Sequence, residues 1–382
     1  MDLAVKKITL GSSKSKVAIS VTKNLIPMIM DVVQFEVQKA MSSKLQQIDL
    51  ENIPFGKVFT DHMFVVDYYN NKWQEAKILP YGKLELSPSI SALHYGQAIF
   101  EGMKAYKNFK GENMMFRPHD NIKRFNQSAS RMCMPKVPDK LFIEGLRQLI
   151  IADSDWIPEK KGYSLYLRPM MFATEERIIV KPSDEYKFLI IASPAGKYYN
   201  EPLKVYIETH YSRAAKGGVG NAKAAGNYGA VMFPSQIAKN KGYHQVIWTD
   251  ASEHQNIEEA GTMNVMFVID NVLVTPQLSD TKLPGITRHS VLSVAREWGV
   301  KVEERTITVT ELIEAYNAGK LTEAFGTGTA ATIAHIKTIG HEDKDYHLAD
   351  ANANSLSWKI SEELTNIKYG TSTDNFGWMH KV

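Results

Sequence analysis

Gly217-Gly218-Val219-Gly220-Asn221-Ala222-Lys223-Ala224-Ala225-Gly226-Asn227-Tyr228-Gly229 sets one lysine among glycines and alanines, with no acidic residue beside it. Glycines let a backbone approach a ligand closely and present its N–H groups. A lysine in a desolvated setting loses part of its preference for the charged form, and its amine becomes nucleophilic. Two glycine motifs do not fit. A phosphate-binding P-loop has Gly before the lysine and Ser or Thr after it, where this chain has Ala222 and Ala224. A dinucleotide fingerprint built on Gly218 and Gly220 needs a third glycine where Lys223 stands. Lys223 is then a Schiff-base lysine or a solvated loop lysine. The segment alone favours the second, because lysines in such loops are mostly exposed.

Further along, Ile257-Glu258-Glu259-Ala260-Gly261-Thr262-Met263-Asn264 leads into an apolar strand. Glu258 reads as a solvated loop charge, while one carboxylate held in place would suit the ring nitrogen of pyridoxal phosphate. Leu283-Pro284-Gly285-Ile286-Thr287-Arg288 opens a helix whose free N–H groups suit a phosphate; its plain alternative is a Pro-Gly turn with a Thr cap. Phe325-Gly326-Thr327-Gly328-Thr329-Ala330-Ala331 is a second loop able to cradle an anion. Each signal is weak singly. Together they fit a phosphorylated cofactor anchored to a lysine.

Residues 113–117 read as a strand followed by Pro118, after which Ile122, Phe125, Ala129 and Met132 recur at helical spacing. Residues 163–169 alternate, with Leu165 and Leu167 on one face and Tyr166 and Arg168 on the other. A buried strand at 188–192 ends in Ser193-Pro194-Ala195-Gly196, and 203–209 is the next strand pattern. Beyond it come a helix over 228–240, a strand over 245–249, and a hairpin of 264–269 with 272–275 about Asp270-Asn271. Helices follow over 287–298 and 310–318, stopped by Gly299 and Gly319. The expected fold is α/β (α+β) in two domains. It has an N-terminal extension 1–48, a small α/β domain 49–195, an interdomain loop 196–203 and a large domain 204–382.

Composition describes an ordinary globular chain. The chain has 382 residues, 44% hydrophobic and 23% charged, enough for two domains. Its 45 basic and 42 acidic residues leave +3, which argues against a nucleic-acid grip over a large cationic surface. Cys133 is the single cysteine, so no intramolecular disulfide or multi-cysteine metal site forms; it reads as a small core residue in a reducing compartment. No apolar stretch reaches the roughly 18 residues of a membrane span. Residues 1–24 carry Lys6, Lys7, Lys14, Lys16 and Lys23 without arginine, which reads as a basic extension rather than a transit peptide. A cytoplasmic protein is expected, with organellar import as the alternative.

Leu93-His94-Tyr95-Gly96-Gln97-Ala98-Ile99-Phe100-Glu101-Gly102-Met103-Lys104-Ala105-Tyr106 is a further signature, joined by Phe116-Arg117-Pro118 and the segments above. In this order, over about residues 50–380, they resemble the signatures of branched-chain aminotransferases, most closely the larger form also found in eukaryotes. The resemblance implies fold type IV of the pyridoxal 5'-phosphate enzymes, with the cofactor at the interface of two domains and a homodimer whose partner closes the site. It makes Lys223 the Schiff-base lysine, Glu259 the acid paired with the ring nitrogen and Arg117 the phosphate-binding arginine. Ile286 and Thr287 supply helix-start amides to the phosphate, with Thr327 or Thr329 completing that cradle. Tyr228 and Arg213 lie beside the cofactor, and Thr262 near its hydroxyl and the substrate. Tyr95, Phe100, Tyr166 and Tyr198 form the aromatic substrate walls, Arg168 holds the distal carboxylate of glutamate, and Thr329 and Ala330 receive the α-carboxylate.

The implied activity is amino transfer between L-leucine, L-isoleucine or L-valine and 2-oxoglutarate, with small amino acids and 2-oxo acids as the only ligands besides the cofactor. Some members carry a Cys-x-x-Cys pair after the glycine–threonine loop; here those positions are Ala331 and Ala334, so thiol regulation there is excluded. The alternatives are a D-amino-acid aminotransferase or aminodeoxychorismate lyase on the same fold, and a non-catalytic phosphate or nucleotide binder.

Overall fold

The computed structural model describes residues 35–196, 198–199 and 201–382. The basic stretch 1–24 and most of the expected extension lie outside the described residues. The described end of that extension, Glu36–Val37, adds an edge strand parallel to Lys77–Pro80.

Two sheets organise the chain. The first runs Glu36–Val37, Lys77–Pro80, His62–Tyr69, Tyr186–Ala195, Ser164–Ala173, Met103–Lys107, Asn113–Phe116 and Met379–Lys381, with Ala98–Phe100 also paired to Ser164–Ala173. The alternation in 163–169 sets its faces. Leu165 and Leu167 are fully buried in the core, whereas Tyr166 and Arg168 face the other way. Helices Pro118–Arg131 and Asp139–Ala152 cover the core face. Ile122, Phe125 and Ala129 recur on one side of the former and pack with Phe142 of the latter against Phe64 and Phe188, all buried. The Phe142 and Phe188 rings stack with centroids 5.8 Å apart.

The second sheet runs Ile257–Ala260, Gln245–Thr249, Leu203–Glu208, Thr332–His341, Leu321–Gly328, Met263–Ile269, Val272–Pro276 and Val302–Arg305. Ile257–Ala260 also pairs with Met263–Ile269, which closes those strands into a ring. Asp270 and Asn271 turn the hairpin with φ of 51° and 62°, the left-handed pair that a tight type I′ turn requires. Helices Ile286–Glu297 and Val309–Asn317 match the expected ones within a residue or two, with Gly299 and Gly319 past their ends at positive φ.

Three expectations need correction. The helix over 228–240 is two pieces, Gly226–Gly229 and Met232–Asn240. Cys133 is exposed rather than a core residue, because it lies just past the helix Pro118–Arg131 with φ of 54°, turned out of the packed face. Not all of 204–382 belongs to the second sheet: its last strand, Met379–Lys381, returns to pair with Asn113–Phe116. Among the described residues no helix is long and apolar enough to cross a membrane.

Candidate active site

A cavity of about 560 Å³ is lined by residues of both sheets. Lys223 enters it from the glycine-rich loop, which is stitched to the first sheet. Phe100 N–H donates to the Lys223 carbonyl at 3.1 Å and Ala225 N–H to the Ala98 carbonyl at 2.9 Å. Lys223 N–H in turn donates to Ser128 Oγ at 2.9 Å. The Nζ donates to Tyr228 Oη at 3.1 Å and stands 4.8 Å from the Phe100 ring centroid. The Phe100 and Tyr228 rings lie 4.9 Å apart. Lys223 is therefore a half-buried cavity lysine, not a solvated one.

Glu259 is buried on the strand Ile257–Ala260. Its Oε2 pairs with Arg213 Nη2 at 2.9 Å, and its Oε1 accepts from Asn264 Nδ2 at 3.0 Å and Leu283 N–H at 2.9 Å. Burial raises its pKa, while Arg213, the Leu283 N–H and the Lys223 charge oppose that rise. Glu258 is not solvated as expected. Strand alternation sends it to the opposite face, where it is buried and meets Thr281 Oγ1 and, at 3.3 Å, Lys282 Nζ.

Residues that suit an anion gather on one wall. The helix Ile286–Glu297 begins at Ile286 and Thr287 with no side-chain cap, leaving its first N–H groups to the cavity they line. Gly285 precedes them, and a Cβ there would run into Asn264 Oδ1. Thr327 Oγ1 is buried without a partner among the described residues, and Thr329, Ala330 and Ala331 line the same wall.

Two expected residues are not in this cavity. Arg117 sits at the start of the helix Pro118–Arg131 with φ of 52° and braces the side of the helix Ile286–Glu297. It donates to Ser290 Oγ at 2.8 Å, His289 Nδ1 at 3.0 Å and the Ile286 carbonyl at 3.3 Å. The arginine of this helix that lines the cavity is Arg124, seven residues on and so on nearly the same helix face. Helical spacing offered that signal, but Arg124's partner Glu101 is remote in sequence. Tyr95 ends a five-residue helix, Ser91–Tyr95, and is exposed outside the cavity of its own chain.

The remaining walls are aromatic. Tyr166 Oη accepts from Arg168 Nη2 at 3.0 Å, and the Arg168 guanidinium lies 4.6 Å from the Phe100 centroid. Tyr198 and Tyr166 each meet Phe55 edge-on, at 4.8 and 5.0 Å. Phe55 was not anticipated, because nothing in its local sequence marks it. Thr262, Met263 and Tyr199 also line the cavity.

The amino-transferase class IV family matches residues 98–339. Branched-chain-amino-acid aminotransferase 2 of Bacillus subtilis is 44% identical over 89% of this chain and 95% of that relative. The branched-chain-amino-acid aminotransferase of Mycolicibacterium smegmatis is 44% identical over 87% of this chain and 93% of its own. A solved branched-chain aminotransferase from Thermoproteus uzoniensis, with norvaline, matches at TM-score 0.70 and 25% identity, covering 84% of this chain and 99% of that one. The Escherichia coli branched-chain amino acid aminotransferase matches at TM-score 0.68 and 26% identity, covering 82% and 98%. The chain belongs to the class IV aminotransferases.

Proposed function

We infer that the chain is a branched-chain amino-acid aminotransferase, moving an amino group reversibly between L-leucine, L-isoleucine or L-valine and 2-oxoglutarate, with pyridoxal 5'-phosphate as cofactor. Its 44% identity to branched-chain aminotransferases over most of the chain supports the activity. The observation that carries the reading is that Lys223 and Glu259 line one cavity beside an uncapped helix start.

The residues fit the cofactor. An orphaned Thr327 hydroxyl, free helix-start amides and Arg124 offer donors for a phosphate, and Glu259 offers a carboxylate for the ring nitrogen. When bound, pyridoxal phosphate supplies the electron sink for charge developing at the substrate Cα. Lys223 Nζ would hold the cofactor, and with an amino acid bound its amine would act as the base that takes the Cα proton and as the acid that delivers it to the cofactor, the transfer running in reverse with the 2-oxo acid. Tyr228 Oη, 3.1 Å away, orients that amine. Glu259, supported by Arg213 and Asn264, would hold a proton on the ring nitrogen.

Phe55, Phe100, Tyr166 and Tyr198 give branched aliphatic side chains an apolar enclosure. Arg168 is stacked on Phe100 with its Nε unpartnered, and supplies the charge for the distal carboxylate of 2-oxoglutarate. The Thr329 and Ala330 amides receive the α-carboxylate common to all substrates, with Ala331 of the same turn also lining the cavity.

The reading includes a homodimer in the cytoplasm. Leu93 and Tyr95 are exposed on the short helix Ser91–Tyr95, an apolar surface outside the cavity. That apolar patch suits a second copy of this chain and gives Tyr95 a place at the partner's cavity.

The test is visible absorbance of the purified protein, its loss on borohydride treatment, and amino transfer from L-leucine, D-alanine and aminodeoxychorismate. L-leucine is the expected donor. A Lys223→Ala protein that turned over leucine at the wild-type rate would sink the assignment.

A further inference from the structure

Two lysines lie behind the anion wall, and neither has a counter-charge. Lys104 of the strand Met103–Lys107 and Lys368 of the helix Leu356–Tyr369 are 8% and 5% exposed. No carboxylate among the described residues pairs with either. An ammonium buried without a counter-charge is costly. The Phe116 and Tyr106 rings, at 5.0 and 5.8 Å from Lys368 Nζ, offset only part of that cost for one of them, so a structural role alone does not explain two together. Both grip the same turn. Lys104 Nζ donates to the Ala330 carbonyl at 2.7 Å, and Lys368 Nζ donates to Thr332 Oγ1 at 3.2 Å.

That turn joins the strands Leu321–Gly328 and Thr332–His341, with Gly328 opposite Thr332. Thr332 has φ of 63°, a left-handed conformation that a β-branched residue adopts only when its surroundings impose it. A small void of about 10 Å³ separates the lysines from the main cavity, and Ile286, Thr287 and Thr329 line both. The ammonium groups therefore stand one residue layer behind the anion wall. A trans peptide points its N–H opposite to its carbonyl, so the bond drawing the Ala330 carbonyl toward Lys104 turns the Ala331 N–H the other way. Polarising that carbonyl also makes the N–H a stronger donor.

We propose that Lys104 and Lys368 are positioning residues that hold the Thr329–Thr332 turn in place and lend it positive charge, making it the receptor for the α-carboxylate of every substrate. The proposal rests on the amino-transfer reading above. It differs from the role of Arg168, which serves only the substrate with a second carboxylate. An anion on the cavity face is the counter-charge the two lysines lack. Burial pushes the Lys104 amine down to about 8 and Lys368 to about 7, which the bound anion would oppose.

The test compares cofactor-loaded wild type with Lys104→Met, Lys104→Arg and Lys368→Met, measuring kcat, KM for L-leucine, KM for 2-oxoglutarate and melting temperature. Lys104→Met is expected to raise both KM values about tenfold or more while kcat changes less than about threefold, the loss of a charge-assisted contact. Lys104→Arg keeps the charge and a donor and recovers most of the affinity, and Lys368→Met shifts both KM values in the same direction, by less. Folded Lys104→Met and Lys368→Met proteins with both KM values within about twofold of wild type would overturn the proposal and leave the amino-transfer reading standing. So would a rise confined to 2-oxoglutarate, or a Lys104→Arg protein as impaired as Lys104→Met. If Lys104→Met does not fold, Lys368→Met and Lys104→Arg decide by the same criteria. Wild type without leucine–oxoglutarate exchange overturns both.

Discussion

Arg124 meets Glu101 side-on, Nε to Oε1 at 2.7 Å and Nη2 to Oε2 at 2.8 Å, with both groups buried. Its Nη1 donates to the Pro284 carbonyl at 3.2 Å, two residues before the helix that begins at Ile286. The pair thus ties the first sheet to the helix start expected to hold phosphate. Replacing Arg124 alone would strand a buried carboxylate, so the informative variant is Arg124→Met with Glu101→Gln. Titrating apo-protein with pyridoxal phosphate should show affinity weakened about tenfold to a hundredfold. Arg117→Met should bind within about threefold of wild type and lose stability instead. The reverse pattern would return the phosphate to Arg117.

Tyr228 is the hydrogen-bond partner of Lys223 Nζ and covers it with Phe100. Tyr228→Phe keeps the ring and removes the oxygen. The cofactor should still attach, with its visible absorbance retained, while kcat falls about tenfold because the amine is less well oriented. Unchanged kcat would mean that the phenol only fills space.

Much of this arrangement is written locally. The Asp270-Asn271 turn follows from two residues tolerant of positive φ between apolar runs, and the shared face of Tyr166 and Arg168 follows from strand alternation. What is not legible depends on partners remote in sequence. Arg124 is a helix arginine like any other until Glu101 meets it from the link between the strands Ala98–Phe100 and Met103–Lys107. Glu258 looks solvated beside Glu259, yet both faces of their strand are covered. Tyr95 belongs to an apolar surface patch rather than to its own cavity, and the left-handed Cys133 escapes a helix pattern that seemed to bury it.

Glu259→Gln tests the charge of the buried acid with little change in shape. The amide oxygen still accepts from Asn264 and Leu283, but the amide N–H group replaces the oxygen that pairs with Arg213, so stability should fall and kcat is read on protein shown folded by its melting temperature. The ring nitrogen loses its anionic partner, and kcat should fall about a hundredfold or more with the cofactor still bound. A kcat within about threefold of wild type would show that neutral hydrogen bonding suffices.

Gly102 lies under the phenol of Tyr166, and a Cβ there would run into Tyr166 Oη. Gly102→Ala should push that ring into the substrate enclosure and disturb the bond to Arg168, which donates to the same oxygen at 3.0 Å. KM for L-leucine and for 2-oxoglutarate should both rise about tenfold, with cofactor absorbance unchanged. Adding Tyr166→Phe removes the clashing oxygen, so the double variant should recover affinity for leucine but not for 2-oxoglutarate. Failure of that partial recovery would place the effect elsewhere.

The buried lysines give apo-protein stability an unusual pH dependence. Burial holds the folded amines at about 8 for Lys104 and, with help from the Lys104 charge, about 7 for Lys368. The unfolded chain keeps them near 10.4. Between those values the unfolded state binds protons that the folded state does not, so stability rises with pH. Below about pH 7 both states are protonated and the cost of the buried charges is fully present. Above about pH 10 buried tyrosines act oppositely. Burial raises Tyr186, Tyr199 and Tyr369 to about 12, so the unfolded chain loses those protons first and stability falls. Urea midpoints of apo-protein should therefore climb from about pH 7 to a maximum near pH 10. The Lys104→Met, Lys368→Met double variant should begin higher at pH 7 and stay flat across the window. A bound anion keeps the lysines charged, so adding pyridoxal phosphate should flatten the wild-type slope as well. A wild-type midpoint that falls between pH 7 and 9.5 would show that neither amine loses its proton on folding.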